Sequence, residues 1–130
     1  MAVKYAFGKT VDRGFQQAID AVTAELAKEG FGILTEIDVA ATMKKKLNLD
    51  WRPYKILGAC NPQLASRAIG AEPEIGALLP CNVVVREDDA GRIRVEFMDP
   101  NAVLTLVERP EIPALAAEVR GRLDRVLAAL

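Results

Sequence analysis

Two short alternating runs, Asn82 to Glu87 and Arg92 to Met98, are separated only by Asp88-Asp89-Ala90-Gly91. This pair constrains the fold more than any other feature of the chain. Side chains on a strand point alternately to opposite faces, so Ile93, Val95 and Phe97 share one side. Arg92, Arg94 and Glu96 share the other. Four linking residues suit a hairpin but are too few for the crossover that parallel neighbours need. The sheet is therefore expected to be antiparallel, with one face buried and the other largely wet. The helical patterns elsewhere in the chain must then gather on the buried face, which defines an α+β fold.

Those patterns are easily located. Val3, Tyr5 and Phe7 alternate with Lys4 and Ala6, so a strand is expected over 2–7. Gly8-Lys9-Thr10 reads as a turn, with Thr10 as the cap of the next helix. Val11, Phe15, Ala18, Ile19, Val22 and Leu26 recur at helical spacing, and Gly30 suits a left-handed C-terminal cap. A second strand runs from Phe31 to Ile37, and Asp38 caps a short helix bearing Val39, Met43 and Leu47. Tyr54 to Ala59 is a third strand, ended by a strong helix start at Asn61-Pro62. That helix is expected to bury Leu64, Ala65, Ala68 and Ile69 and to stop at Gly70. Residues 71–80, punctuated by Pro73, Gly76 and Pro80, read as a loop with one helical turn. Asp99-Pro100 opens a short helix through Leu106. A last helix over 111–129 buries Ile112, Leu115, Val119, Leu123, Val126 and Leu127. Gly121 inside it predicts a close packing contact, because glycine there costs about 1 kcal/mol relative to alanine. With 130 residues and no linker or repeat, residues 1–130 read as a single domain.

Several function classes are excluded or disfavoured by what is scarce. There is no histidine, so neither a Ser-His-Asp nor a Cys-His nucleophile system can be built within the chain. Imidazole-ligated zinc and histidine-ligated haem are excluded on the same ground. The 17 basic and 18 acidic residues nearly cancel, and the only basic run, Lys44-Lys45-Lys46, reads as a solvated helix face. Nucleic-acid binding is not expected without a concentrated basic surface. No apolar run reaches membrane-spanning length and no leader precedes the first strand, so a soluble, cytoplasmic domain without a membrane partner is expected. The scarcity of Ser, Asn and Gln fits a thermophilic source or the bias of a GC-rich genome. No cofactor is specified.

The candidate chemistry concentrates in few residues. Cys60 ends a strand just before a helix N-terminus, where dipole and free N–H groups favour a thiolate. Cys81 lies at another strand boundary, after Pro80. Both are equally read as small buried apolar residues, and two thiols alone make an incomplete metal site. Glu36 interrupts an apolar strand and is either a general base in a pocket or a partner of Lys55 or Arg94 on the wet face. Asp38 and Asp99 read as helix caps. Tyr5, Tyr54 and Trp51 are pocket-lining or packing residues. Gly70-Ala-Glu-Pro-Glu-Ile-Gly76 is not a phosphate loop, since it lacks the Gly-Lys-Ser/Thr ending and carries two carboxylates.

Three segments together resemble a known family. Phe31-Gly-Ile-Leu-Thr-Glu-Ile-Asp-Val, Lys55-Ile-Leu-Gly-Ala-Cys-Asn-Pro and Leu79-Pro-Cys-Asn-Val-Val-Val are similar to the signature segments of domain of unknown function 302. The likeness spans about residues 30–105. It implies a TATA-binding-protein-like α+β arrangement, with a curved antiparallel sheet and helices on one side, and no established activity. Fold analogy alone gives no licence for DNA binding. The positions that match the family pattern are Glu36, Cys60, Asn61, Pro62, Pro80 and Cys81. Two readings of function follow. One is a small-ligand or protein-interaction module acting as a homo-oligomer, most simply a dimer. The other is thiol chemistry, with Cys60 as the reactive group, Cys81 as its resolving partner and Glu36 as an acid–base group. A metal site of Cys60, Cys81 and carboxylates is a variant of the second.

Overall fold

Five antiparallel strands form one sheet in the order β1-β5-β4-β3-β2. The computed structural model describes residues 2–130. Along the chain the elements are β1 (Ala6–Val11), α1 (Phe15–Lys28), β2 (Gly32–Asp38), α2 (Val39–Leu47), β3 (Tyr54–Cys60) and α3 (Pro62–Ala71). A 3-10 segment (Pro73–Leu78) precedes β4 (Cys81–Glu87) and β5 (Ile93–Met98). Then come α4 (Pro100–Val103), a 3-10 turn (Leu104–Leu106) and α5 (Ile112–Ala128).

The register explains the core. Val83 pairs with Phe97 and with Leu57, Val85 pairs with Val95, and Cys81 pairs with Ala59. All of these are buried on one face of the sheet. Ala18, Ile19, Val22 and Leu26 of α1 and Ile112, Leu115, Val119, Leu123 and Val126 of α5 complete this core. Leu64 and Ala68 bring α3 into it. The residues of opposite parity, Tyr54, Ile56, Asn82, Val84, Arg86, Arg94, Glu96 and Met98, occupy the face without helices.

Most helix ends follow their sequence signals. Asp38, Asn61 and Asp99 each accept a backbone N–H at the start of the following helix. Gly30 has φ +86°, and the Phe31 N–H donates to the Leu26 carbonyl, which closes α1 in a Schellman turn. The hairpin turn closes on Gly91, with φ +78°, and on Asp88 Oδ1, which accepts from the Ala90 and Arg92 N–H groups.

Five expectations need correction. β1 occupies 6–11 rather than 2–7, so Gly8-Lys9-Thr10 is strand and not turn. α1 is capped at Gly14, whose N–H donates to Gln17 Oε1, rather than at Thr10. Gly8 marks a close approach to β5, which sequence alone does not distinguish from a turn. α3 runs through Gly70 to Ala71, and Ile69 is 44% exposed because the core needs only the Leu64/Ala68 stripe. Leu127 is only partly buried. Finally, Gly121 makes no close contact: a Cβ there would meet nothing nearer than Arg125 Nη1 at 3.9 Å. Gly121→Ala should therefore raise stability by about 1 kcal/mol through helix propensity alone. Thermal unfolding checks this, and a lowered midpoint would contradict it. No helix among the described residues is long and apolar enough to cross a membrane.

Candidate functional site

The residues singled out from the sequence divide between two places. β3 ends at Cys60 and enters α3 through Asn61 and Pro62, while β4 begins at Cys81 opposite Ala59. Cys60 and Cys81 thus reach the same end of the sheet. With Asn61 they line a cavity of about 40 Å³ walled by apolar side chains such as Phe31, Leu64 and Leu79. That is room for a water molecule or two, far below the ~300 Å³ of the smallest usual ligand pockets.

Asn61 is buried and hydrogen-bonded through both the oxygen and the nitrogen of its amide. Its Oδ1 accepts from the Leu64 N–H at 3.2 Å, and its Nδ2 donates to the Glu29 carbonyl at 3.4 Å. Arg122 Nη1 donates to the same carbonyl at 2.8 Å. The side chain thus ties the start of α3 to the end of α1. Burial, reinforced by the neighbouring Cys60, pushes the Cys81 thiol up to about 11. Cys81 is 8% exposed and opens a strand rather than a helix, so no helix N-terminus offsets its burial. In a Cys60→Ser protein the remaining thiol should resist a disulfide reagent at pH 8 while folded and react at once in guanidinium. Rapid reaction of the folded protein would contradict this.

Glu36 is elsewhere. It pairs across β2 and β3 with Leu57, three residues along β3 from the Gly32–Cys60 pair because β2 is bulged between Ile33 and Thr35, or about 10 Å at the rise of a strand. Lys55 Nζ donates to its Oε1 at 2.5 Å, and the Glu36 side chain is 48% exposed. This bond raises the Lys55 pKa. The structure thus brings together Cys60, Asn61 and Cys81 and leaves Glu36 apart. Among the described residues, no three or more Cys, Asp or Glu converge as a metal-ligand group.

A larger concavity lies on the helix-free face of the sheet. It encloses about 450 Å³ between Tyr5, Tyr54, Asn82, Val84, Arg86 and Met98, with Glu96 on its floor. An adjoining hollow of about 660 Å³ shares Arg86 and Glu96 and adds Lys4 and Arg94. Arg86 grips Glu96 in a fork, Nε to Oε1 at 2.6 Å and Nη2 to Oε2 at 3.2 Å. Arg94 Nε stands 3.5 Å from Glu96 Oε2, and its Nη1 donates to Thr10 Oγ1 at 3.1 Å. The hydrogen bond from Arg86 holds the Glu96 carboxyl below its usual range, opposed by partial burial. Because the folded pKa is depressed, this stabilisation is present above the ordinary glutamate pKa. It is lost as pH falls through the folded value.

Of the three aromatics considered from sequence, Tyr5 and Tyr54 line this cleft and Trp51 does not. Arg86, Glu96 and Met98 were not foreseen as site residues. The alternation in β5 was a usable signal for Glu96, since it already placed Arg94 and Glu96 together on the wet face. The short turn between β4 and β5 was a usable signal for Arg86 too, since it sets Arg86 directly opposite Arg94.

The architecture is that of an open-faced antiparallel α+β domain, with a small thiol-lined cavity under its helices and a cleft on its bare face. The family model for domain of unknown function DUF302 matches residues 7–130, and the chain belongs to this family. It is similar over its whole length to the uncharacterized conserved protein DUF302 from Bacillus stearothermophilus. In that crystal structure 28% of residues are identical, 98% of each chain is covered and the TM-score is 0.89. No curated protein matches the chain.

Proposed function

We propose that the domain binds a small molecule in the cleft on the helix-free face of its sheet. The observation that carries this is the cleft itself. Its volume of about 450 Å³ lies within the usual range for ligand pockets, and it combines apolar walls with a few convergent polar groups. Tyr5 and Tyr54 offer flat apolar surface with a polar tip, and Asn82 adds an amide. The test is a mixed fragment set of aromatic acids, amides and amines titrated into ¹⁵N-labelled protein. Hits should shift the amides of Val84, Arg86, Glu96 and Met98, and Val84→Trp, which fills the cleft, should abolish the shifts. No shifts, or shifts confined to other surfaces, would overturn the reading.

Self-association is a second reading, supported by β2. It is an edge strand, and Leu34 and Ile37 on it are 67% and 49% exposed. Unpaired edges with apolar side chains readily recruit a second strand. Light scattering should then give twice the 14.1 kDa chain mass, reduced to one by Ile37→Lys. A monomer at all concentrations would remove this reading. The thiol alternative draws less support, because the Cys60–Cys81 cavity has no room for a substrate and Glu36 stands apart from it.

A further inference from the structure

We infer that the ligand of this cleft is a small amphipathic carboxylate, its apolar body lying against Tyr5, Tyr54, Val84 and Met98 and its anionic end on Arg86 and Arg94. The inference rests on the ligand-binding reading above and specifies its chemistry. Its basis is an unbalanced set of charges beside an apolar wall. Two guanidiniums share one carboxylate, Glu96, so the cluster carries an excess positive charge. Asp99, the other acid lining the adjoining hollow, is bound to Arg120 Nη1 at 2.6 Å, and Asp88, whose charge also reaches Arg86, is paired with Arg92 at the hairpin turn. Lys4, lining the same hollow, adds to the excess.

Donor capacity points the same way. A guanidinium has five N–H groups. Arg86 directs Nε and Nη2 at Glu96, and Arg94 directs Nε at Glu96 and Nη1 at Thr10. Among the described residues, Arg86 Nη1 and Arg94 Nη2 have no side-chain acceptor. A carboxylate matches such paired donors in geometry and charge. A bare inorganic anion would leave the apolar wall wet, and a neutral ligand would leave the excess charge unanswered. Only an anion with an apolar body satisfies both halves. The two concavities share Arg86 and Glu96, so one molecule can span them.

The test compares 2-naphthoate with its neutral isostere 2-naphthamide, titrated into the intact protein and followed by amide shifts of cleft residues. Naphthoate should bind about tenfold more tightly, the equivalent of one charge-assisted hydrogen bond. Arg94→Gln should bring the two affinities together, and Arg94→Lys should keep part of the difference. Raising ionic strength on the unmodified protein should weaken naphthoate and leave naphthamide unchanged, which tests the charge without any variant. Equal affinities for the two probes, with shifts in the cleft, would overturn the anionic ligand and leave the binding site standing. Failure of both probes would also overturn it, while the mixed fragment set separately decides whether the cleft binds anything.

Discussion

Gly8→Ala is expected to destabilise the domain by about 3 kcal/mol, the upper end for forcing one carbon into a filled site. Gly8 pairs with Glu96, and a Cβ there would overlap the Val95 carbonyl oxygen and stand 2.7 Å from the Glu96 Cα. Both obstacles are backbone, so no rotamer change relieves them. β5 cannot retreat, because β4 holds it on one side and Val95 and Phe97 anchor it in the core. The strain must therefore lift β1. That costs the Ala6–Val11 pairing and the contact of the Phe7 ring with Phe97 at 5.5 Å between centroids. It also moves Phe7 from under the Arg120 guanidinium, 3.6 Å from the ring centroid. Urea unfolding measures the loss, read as a lower midpoint at unchanged slope. An effect below about 0.5 kcal/mol, the range of an ordinary surface change, would show that β1 is not held by this contact.

Asn61→Ala should cost about 2–3 kcal/mol. The loss of an N-cap contributes about 1 kcal/mol. The Leu64 N–H that this cap satisfies is buried, which carries the cap loss toward about 2 kcal/mol, and the lost Nδ2 bond to the Glu29 carbonyl adds up to about 1 kcal/mol. The Glu29 carbonyl keeps Arg122 as a donor, so that end is partly protected. Asn61→Asp is an informative companion. It retains an acceptor for Leu64 but sets a carboxylate oxygen against the Glu29 carbonyl, so it should recover only part of the stability. Faster hydrogen exchange at Leu64 in the Ala variant, with the Asp variant protected, would separate the cap from general loosening. Full stability of Asn61→Ala would mean that the residue is free for another role.

Much of the fold was legible because its signals are local. The Asp88–Gly91 turn, the Ile93/Val95/Phe97 alternation and the α5 stripe each declare a structure over a few residues. The caps at Asp38, Asn61 and Asp99 and the stop at Gly30 were readable for the same reason. Gly8 and Gly121 were misread because a glycine reports only that a side chain is missing. Whether a turn, a close strand or nothing at all requires its absence depends on a partner distant in sequence. Glu36 shows the same limit. Its strand was evident, but its pairing with Lys55 needed the register of β2 on β3.

The opening hairpin marks the division. By itself the sequence determined that β4 and β5 are antiparallel neighbours, that Val95 and Phe97 face inward and that Arg94 and Glu96 face outward. Alternation and a short turn suffice for that. The same alternation also predicted an outward face free of helices, and the sheet has its helices on the other side. Only the tertiary structure laid Tyr5 from before β1 and Tyr54 from β3 beside Arg86 and Glu96. The physical reason is that a sheet face is assembled from strands far apart in the chain. Their order, β1-β5-β4-β3-β2, is fixed by how the helices cover the other side, and no local pattern encodes it.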